Sequence, residues 1–172
     1  MNGRNALMFA AKKGHANVVK LLLETKTAEA QASALNAERT NALIFATSEG
    51  HADVVRMLLA MKSGDAQACQ VDAQGATALM FAVNTGNADV VRMLLAMKSA
   101  GTQVNTAFSD GTNVLMLAAG HGHMEIVRLL LATGSAGAQA NAVNIHGLNA
   151  SSYARLRNFD AIVRLLEPFV LN

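Results

Sequence analysis

Apolar residues follow two patterns that alternate along the chain. In the first, Leu7, Ala10 and Ala11 stand at i, i+3 and i+4, as do Leu43, Ala46 and Thr47, then Leu79, Ala82 and Val83. That spacing places them on one face of a short α-helix. Asn5, Asn41, Thr77, Asn113 and Asn149 precede these helices and suit an N-cap, because a side-chain oxygen accepts an orphan backbone N–H of the first turn. Gly14, Gly50, Gly86 and Gly122 follow, where a left-handed residue ends a helix and turns the chain. In the second pattern, Val18-Val19-Lys20-Leu21-Leu22-Leu23 and its copies are apolar at every position but the lysine. A helix covered on most sides is expected there, sandwiched between neighbours.

The two patterns recur together at a shift of 36 residues, with copies opening at Gly3, Arg39, Gly75 and Gly111 and a weaker one at Gly147. A constant period predicts stacked helix-turn-helix units that bury their apolar faces against one another. Boundaries fall at about 3–38, 39–74, 75–110, 111–146 and 147–172, giving one domain over residues 1–172. Segments such as Gly101 to Gly111 and Gly137 to Gly147 are rich in turn formers and predict hairpin-like loops with at most two short extended stretches. Pro is absent until Pro168, so nothing interrupts the helices. The predicted class is all-α.

Over essentially its whole length the chain resembles the ankyrin repeat family. Gly75-Ala76-Thr77-Ala78-Leu79-Met80-Phe81-Ala82 is similar to the family's Gly-x-Thr-Pro-Leu-His-x-Ala pattern. Gly14-His15, Gly50-His51 and Gly122-His123 match its Gly-His, and Gly101-Thr102-Gln103-Val104-Asn105 its closing Gly-Ala-Asp-Val-Asn. Ala replaces the family Pro at Ala6, Ala42, Ala78 and Ala150, with Val at Val114. Met8, Ile44, Met80 and Met116 replace the family His, and partial burial is expected of the three methionines. The period exceeds the family's usual length of about 33 residues. The additional three residues predict a longer second helix or a wider loop behind it. At the C-terminal end Ser151 stands where Leu7 stands, and Glu167 where Leu23 stands, as in a polarised cap. The first unit, opening at Met1-Asn2-Gly3, shows the ordinary internal pattern, which leaves open a fragment of a longer scaffold, enzyme or channel.

Composition narrows the function. Aromatics are 4% and Trp is absent, so Ala, Leu, Val and nine Met carry the core, which suits close helix packing. Fourteen Lys and Arg against twelve Asp and Glu leave +2, too small an excess to point to nucleic acid or an anionic membrane. No apolar stretch reaches the roughly 18 residues of a membrane span, and Met1-Asn2-Gly3-Arg4 has no apolar signal region. Cys69 is the single cysteine, which suits a reducing compartment. The expectation is an intracellular monomer, cytoplasmic or nuclear.

Chemistry-bearing clusters are sparse. His121, His123 and His146 lack the Cys or carboxylate partners that would complete the three or four ligands of a zinc site. Ser33, Ser63, Ser99 and Ser109 have no recurring base, as a nucleophile requires. Neither a metal, a cofactor nor a catalytic residue is assigned. Lys20, Arg56, Arg92, Arg128 and Arg164 form a ladder, but Asp53, Asp89 and Glu125 lie three residues before the arginines and are expected to pair with them.

The resemblance implies a protein partner bound on the concave side, made of loop tips and first-helix ends. Those positions are Arg4, Glu38, Thr40, Gln74, Ser109, Asp110, Thr112, Ile145, His146 and Leu148 in the loops, and Lys12, Lys13, Ser48, Glu49, Asn84, Thr85, His121, Leu156 and Arg157 on the helices. They vary between copies while the framework repeats. The surface grades from basic at the first unit to apolar at the fifth, which suits an extended protein better than a nucleic acid.

Overall fold

Asn5 accepts the Met8 N–H at 2.9 Å, Asn41 that of Ile44 at 2.8 Å, and Asn113 that of Met116 at 2.9 Å. Thr77 and Asn149 do the same for Met80 and Ser152. Each starts a seven-residue helix in the computed structural model, which describes residues 3–170. Met1 and Asn2 at the opening lie outside the described residues. Unit one holds α1 (Ala6–Lys12), α2 (Ala16–Leu23) and α3 (Ala28–Ser33); unit two holds α4 (Ala42–Ser48), α5 (Ala52–Leu59) and α6 (Gly64–Ala68). Unit three holds α7 (Ala78–Asn84), α8 (Ala88–Leu95) and α9 (Ala100–Asn105); unit four holds α10 (Val114–Gly120), α11 (Met124–Leu131) and α12 (Ala136–Asn141). Unit five holds α13 (Ala150–Leu156), α14 (Asp160–Leu166) and a 3-10 turn at Glu167–Phe169. First helices pack on first helices, and second on second, from each unit to the next. The fold is an all-α helix-turn-helix solenoid.

The additional residues of the period neither lengthen the second helix nor widen an open loop. The second helices of units one to four stop after eight residues, and a tight turn leads into a third short helix. The hairpin-like loops expected from Gly101 to Gly111 and from Gly137 to Gly147 are therefore helical in their first half. Ala32, Ala68, Val104 and Ala140 bury one side of these short helices. The N-cap asparagines hold the other end, their amides donating to Gln31, Gln67 and Gln139 carbonyls at 2.8 to 3.1 Å. Asparagine therefore serves two helices where serine would serve one. Hairpin-like closure survives in the loops, with single antiparallel bridges at Val71 with Thr77 and Ala107 with Asn113.

Leu7, Leu43, Leu79 and Leu115 are fully buried at the centre of the stack. Met8, Ile44, Met80 and Met116 are fully buried too, not partly; without the polar ring of the family histidine, the position has nothing to present to water. Met57, Met61 and Met93 pack against the core from its edge. At the C-terminal end Glu167 is exposed, but Ser151 is buried, because its position faces the interior of its own unit. On the outer side of unit one Val18 is 46% exposed, whereas its copies Val54 and Val90 are buried beneath the preceding unit.

Adjacent units are latched at their turns. Gly86 adopts φ +70°, and a Cβ there would lie 2.7 Å from the His123 ring of the next unit. Gly14 stands in the same relation to His51, whose Nε2 lies 3.1 Å from the Lys12 carbonyl oxygen. In unit three Asn87 replaces the histidine and caps the Val90 N–H. His51 and His123 therefore act as inter-unit wedges.

Candidate functional site

The loop tips and first helices form one face, as shown by side chains that span both. Arg4, from the loop before α1, lies 4.9 Å over the Phe45 ring of α4, and Lys12 lies 5.7 Å from the same ring. Both cations are also tied to acids: Arg4 to Glu38 at 3.7 Å and Lys12 to Glu49 at 3.9 Å. The basic residues expected at the first unit are therefore joined to neighbouring acids in one partly neutralised cluster. Each exposed pair of this type contributes little to stability, on the order of 0–1 kcal/mol, but together they cover an aromatic ring.

Most positions expected on this face are open to solvent. Lys13, Glu38, Glu49, Gln74, Asn84, Thr85, Ser109, His121, His146 and Arg157 are exposed, and Ser48, Asp110 and Leu148 are half-buried. Ile145 and Leu156 are 73% and 66% exposed, large values for apolar side chains. Thr40 and Thr112 must be withdrawn: both are buried. The Thr40 N–H donates to Asn36 Oδ1 and its carbonyl accepts the Asn36 N–H, while the Thr112 hydroxyl donates to Asp110 Oδ2 at 2.9 Å. These two residues close the base of their own loops and are not part of the tips.

A row of residues absent from the expected set stands on the same face. Phe9, Phe45, Phe81, Leu117 and Tyr153 occupy one position of successive first helices. They lie about 200° around the helix from Leu7 and its copies, so they point away from the core stripe. The signal was present in the sequence as a large apolar residue recurring off that stripe. Phe9 is 54% exposed, whereas Phe45 beneath its two cations is 7% exposed. Between units three and four the row opens into a slot of about 340 Å³ walled by Met80, Phe81, Phe108 and Leu117, with Asp72 and Gln74 at one side.

The opposite face offers less. Arg56 pairs with Asp53 at 3.3 Å, and Arg92 with Asp89 at 2.9 Å. Glu125 contacts Arg92 of the preceding unit and not Arg128, which corrects the expected pairing inside unit four. A groove of about 650 Å³ lies here between units three and four, floored by Gly101 and Gly134. His121 and His123 rings sit 5.7 Å apart, and burial, with His121 next, lowers the His123 pKa. Among the described residues no group of three or more His, Cys, Asp or Glu is placed to hold a metal ion. Among them, too, no helix is long and apolar enough to cross a membrane.

A family model described as ankyrin repeats, three copies, matches residues 1–68, 28–107 and 97–169. A comparison with curated proteins finds none that matches the chain. The three overlapping stretches run across every helix of the stack, whose paired helices and projecting loops agree with them: the chain belongs to the ankyrin repeat family.

Proposed function

We propose that residues 1–172 form a single domain of five repeats that binds a partner protein on its loop and first-helix face, without catalysis. Ankyrin repeats are generally protein-interaction modules. The observation that carries the finer reading is a repeating scaffold whose exposed loop-side residues change from copy to copy and include bare apolar groups. Ile145 and Leu156 are solvent-facing, although packing does not require an apolar side chain at either place. A preformed surface of this kind meets its partner with little ordering cost. Nothing in this reading calls for a cofactor, a nucleic acid or insertion into a membrane, and the chain acts as a monomer.

Titration calorimetry against an affinity-captured partner tests it with three variant sets. Replacing Ile145, Leu148 and Leu156 with Ser is expected to weaken binding at least tenfold, since apolar anchors each contribute about 2 kcal/mol or more. Reversing Lys12 and Lys13 to Glu is expected to slow association, more so at low salt. Replacing Arg56, Arg92 and Arg128 with Gln is expected to change little. Loss of binding in the last set alone would move the site to the second helices.

A further inference from the structure

We propose that the slot between units three and four anchors an extended segment of a partner protein, one that carries a large apolar side chain next to a lysine or arginine. This rests on the reading of the loop-side face as the binding face, and names what it takes at one point.

The slot exists because one residue departs from the repeat. At the base of the other loops stand Asn36, Asp72 and Asn144. Each accepts two backbone N–H groups of its own loop tip: Glu38 and Thr40, Gln74 and Ala76, His146 and Leu148. Phe108 holds the fourth such position and accepts none. The Thr112 N–H turns instead to Asp110 Oδ1 at 2.8 Å, and the phenyl ring becomes a wall of the slot. Neighbouring loops elsewhere are joined, Ala73 N–H to the Glu38 carbonyl at 3.0 Å and Ile145 N–H to the Asp110 carbonyl at 2.8 Å. Among the described residues the corresponding bond, Ser109 N–H to the Gln74 carbonyl, is not made. An N–H and a carbonyl are thus left at the mouth of the slot, both on exposed residues, where an extended backbone finds a donor and an acceptor.

The same place in other units is filled from within. Arg4 and Lys12 cover Phe45 near the start of the stack. Between units four and five Tyr153 packs beside Gly120, and its hydroxyl lies 2.9 Å from Asn144 Nδ2 and 3.4 Å from Thr112 Oγ1. Between units three and four, among the described residues, no such cation or tyrosine covers the apolar walls. A volume of about 340 Å³ holds one leucine- or phenylalanine-sized group with its backbone, since benzene already fits a cavity of roughly 150 Å³. Charge selects the flanking residue. Asp72 borders the slot and Asp110 belongs to the loop that carries Phe108; among the described residues neither is paired with a Lys or Arg. The larger groove on the opposite face has no aromatic wall, and its one cation, Arg92, is committed to two carboxylates.

Three synthetic decapeptides test the proposal, each a Gly/Ser background with Leu-Arg, Leu-Glu or Ala-Arg at its centre. They are titrated into the isotope-labelled full chain by two-dimensional NMR, to about 5 mM, a range that detects dissociation constants of about 1 mM. The Leu-Arg peptide is expected to shift the amides of Phe81, Phe108 and Leu117, with the other two at least fivefold weaker. Phe108→Asn restores the residue that other loops carry, so it is expected to fold normally and to lose at least fivefold of the Leu-Arg affinity. Equal binding of all three peptides, no binding at the highest concentration, or unchanged binding by Phe108→Asn would each overturn the slot. The wider reading fails separately. If Phe108→Asn leaves the captured partner's affinity intact while the Ile145, Leu148 and Leu156 set weakens it, the face stands and the slot does not.

Discussion

Replacing Gly86 with Ala forces two changes that the repeat itself allows to be separated. The first is conformational: at φ +70° a Cβ meets its own backbone, which costs roughly 1–2 kcal/mol. The second is the His123 wedge, whose Cε1 would lie 2.7 Å and both ring nitrogens 3.2 Å from the new methyl. Displacing that ring from a packed turn adds about 1–2 kcal/mol. Gly50 is the internal control, with φ +79° and no atom nearer than Asn87 Nδ2 at 4.0 Å. Gly50→Ala therefore bears the conformational cost alone. Urea unfolding, read as midpoints at constant slope, is expected to place Gly86→Ala about 1–2 kcal/mol below Gly50→Ala. Adding His123→Ala to Gly86→Ala removes the collision, so the double variant should be less destabilised than the sum of its singles. Equal losses at the two glycines, or strict additivity with His123→Ala, would refute the wedge.

Burial, then the neighbouring His121, hold the His123 pKa below 6.5 in the folded chain. The unfolded state then binds more protons below that value, so the stability this histidine contributes at neutral pH is lost as pH falls through 6.5 towards the lowered folded value. Melting temperatures between about pH 7 and pH 5 should fall less in His123→Asn than in the unmodified chain. Glu29 accepts the Lys62 and Ser63 N–H groups, and Asp65 the Ser99 N–H, across successive units; Gly101 interrupts the series. Gly101→Asp meets no neighbour within 4 Å and should raise stability by about 1 kcal/mol through helix propensity and a restored bond to the Ser135 turn. Leu79→Ala, at a fully buried site, should cost roughly 2–5 kcal/mol, whereas Leu156→Ala on the surface should stay within about 0.5 kcal/mol. Chemical denaturation checks both.

The paired helices were legible because their cues are local and repeated: a capping Asn, a leucine stripe and a glycine at one spacing. The third helices were not, since segments such as Ala136–Asn141 are short, glycine-containing and held by Asn113 from another helix, a bond that pattern alone does not reveal. The candidate face was readable as a set of variable columns, but not which columns lie open. Thr40 and Thr112 belong to a column that also holds Arg4, Ala76 and Leu148, yet the closure of the loop base buries them. The aromatic row was visible at Phe9, Phe45 and Phe81 and is explained only once the helix turns it outward. The slot depends on a bond that Phe108 fails to make, and an absent bond leaves no periodic mark.

Site-specific photo-cross-linking tests the central claim, that the partner binds the loop and first-helix face. A photoreactive phenylalanine analogue is placed singly at Thr85, Ser109 or Ile145 on that face, and at Arg56, Arg92 or Arg128 on the second helices, all exposed positions. Each folded variant is irradiated in the presence of the captured partner. The account predicts covalent adducts from the first three positions and none from the last three. Adducts from the arginine positions, with none from the loop side, would contradict it.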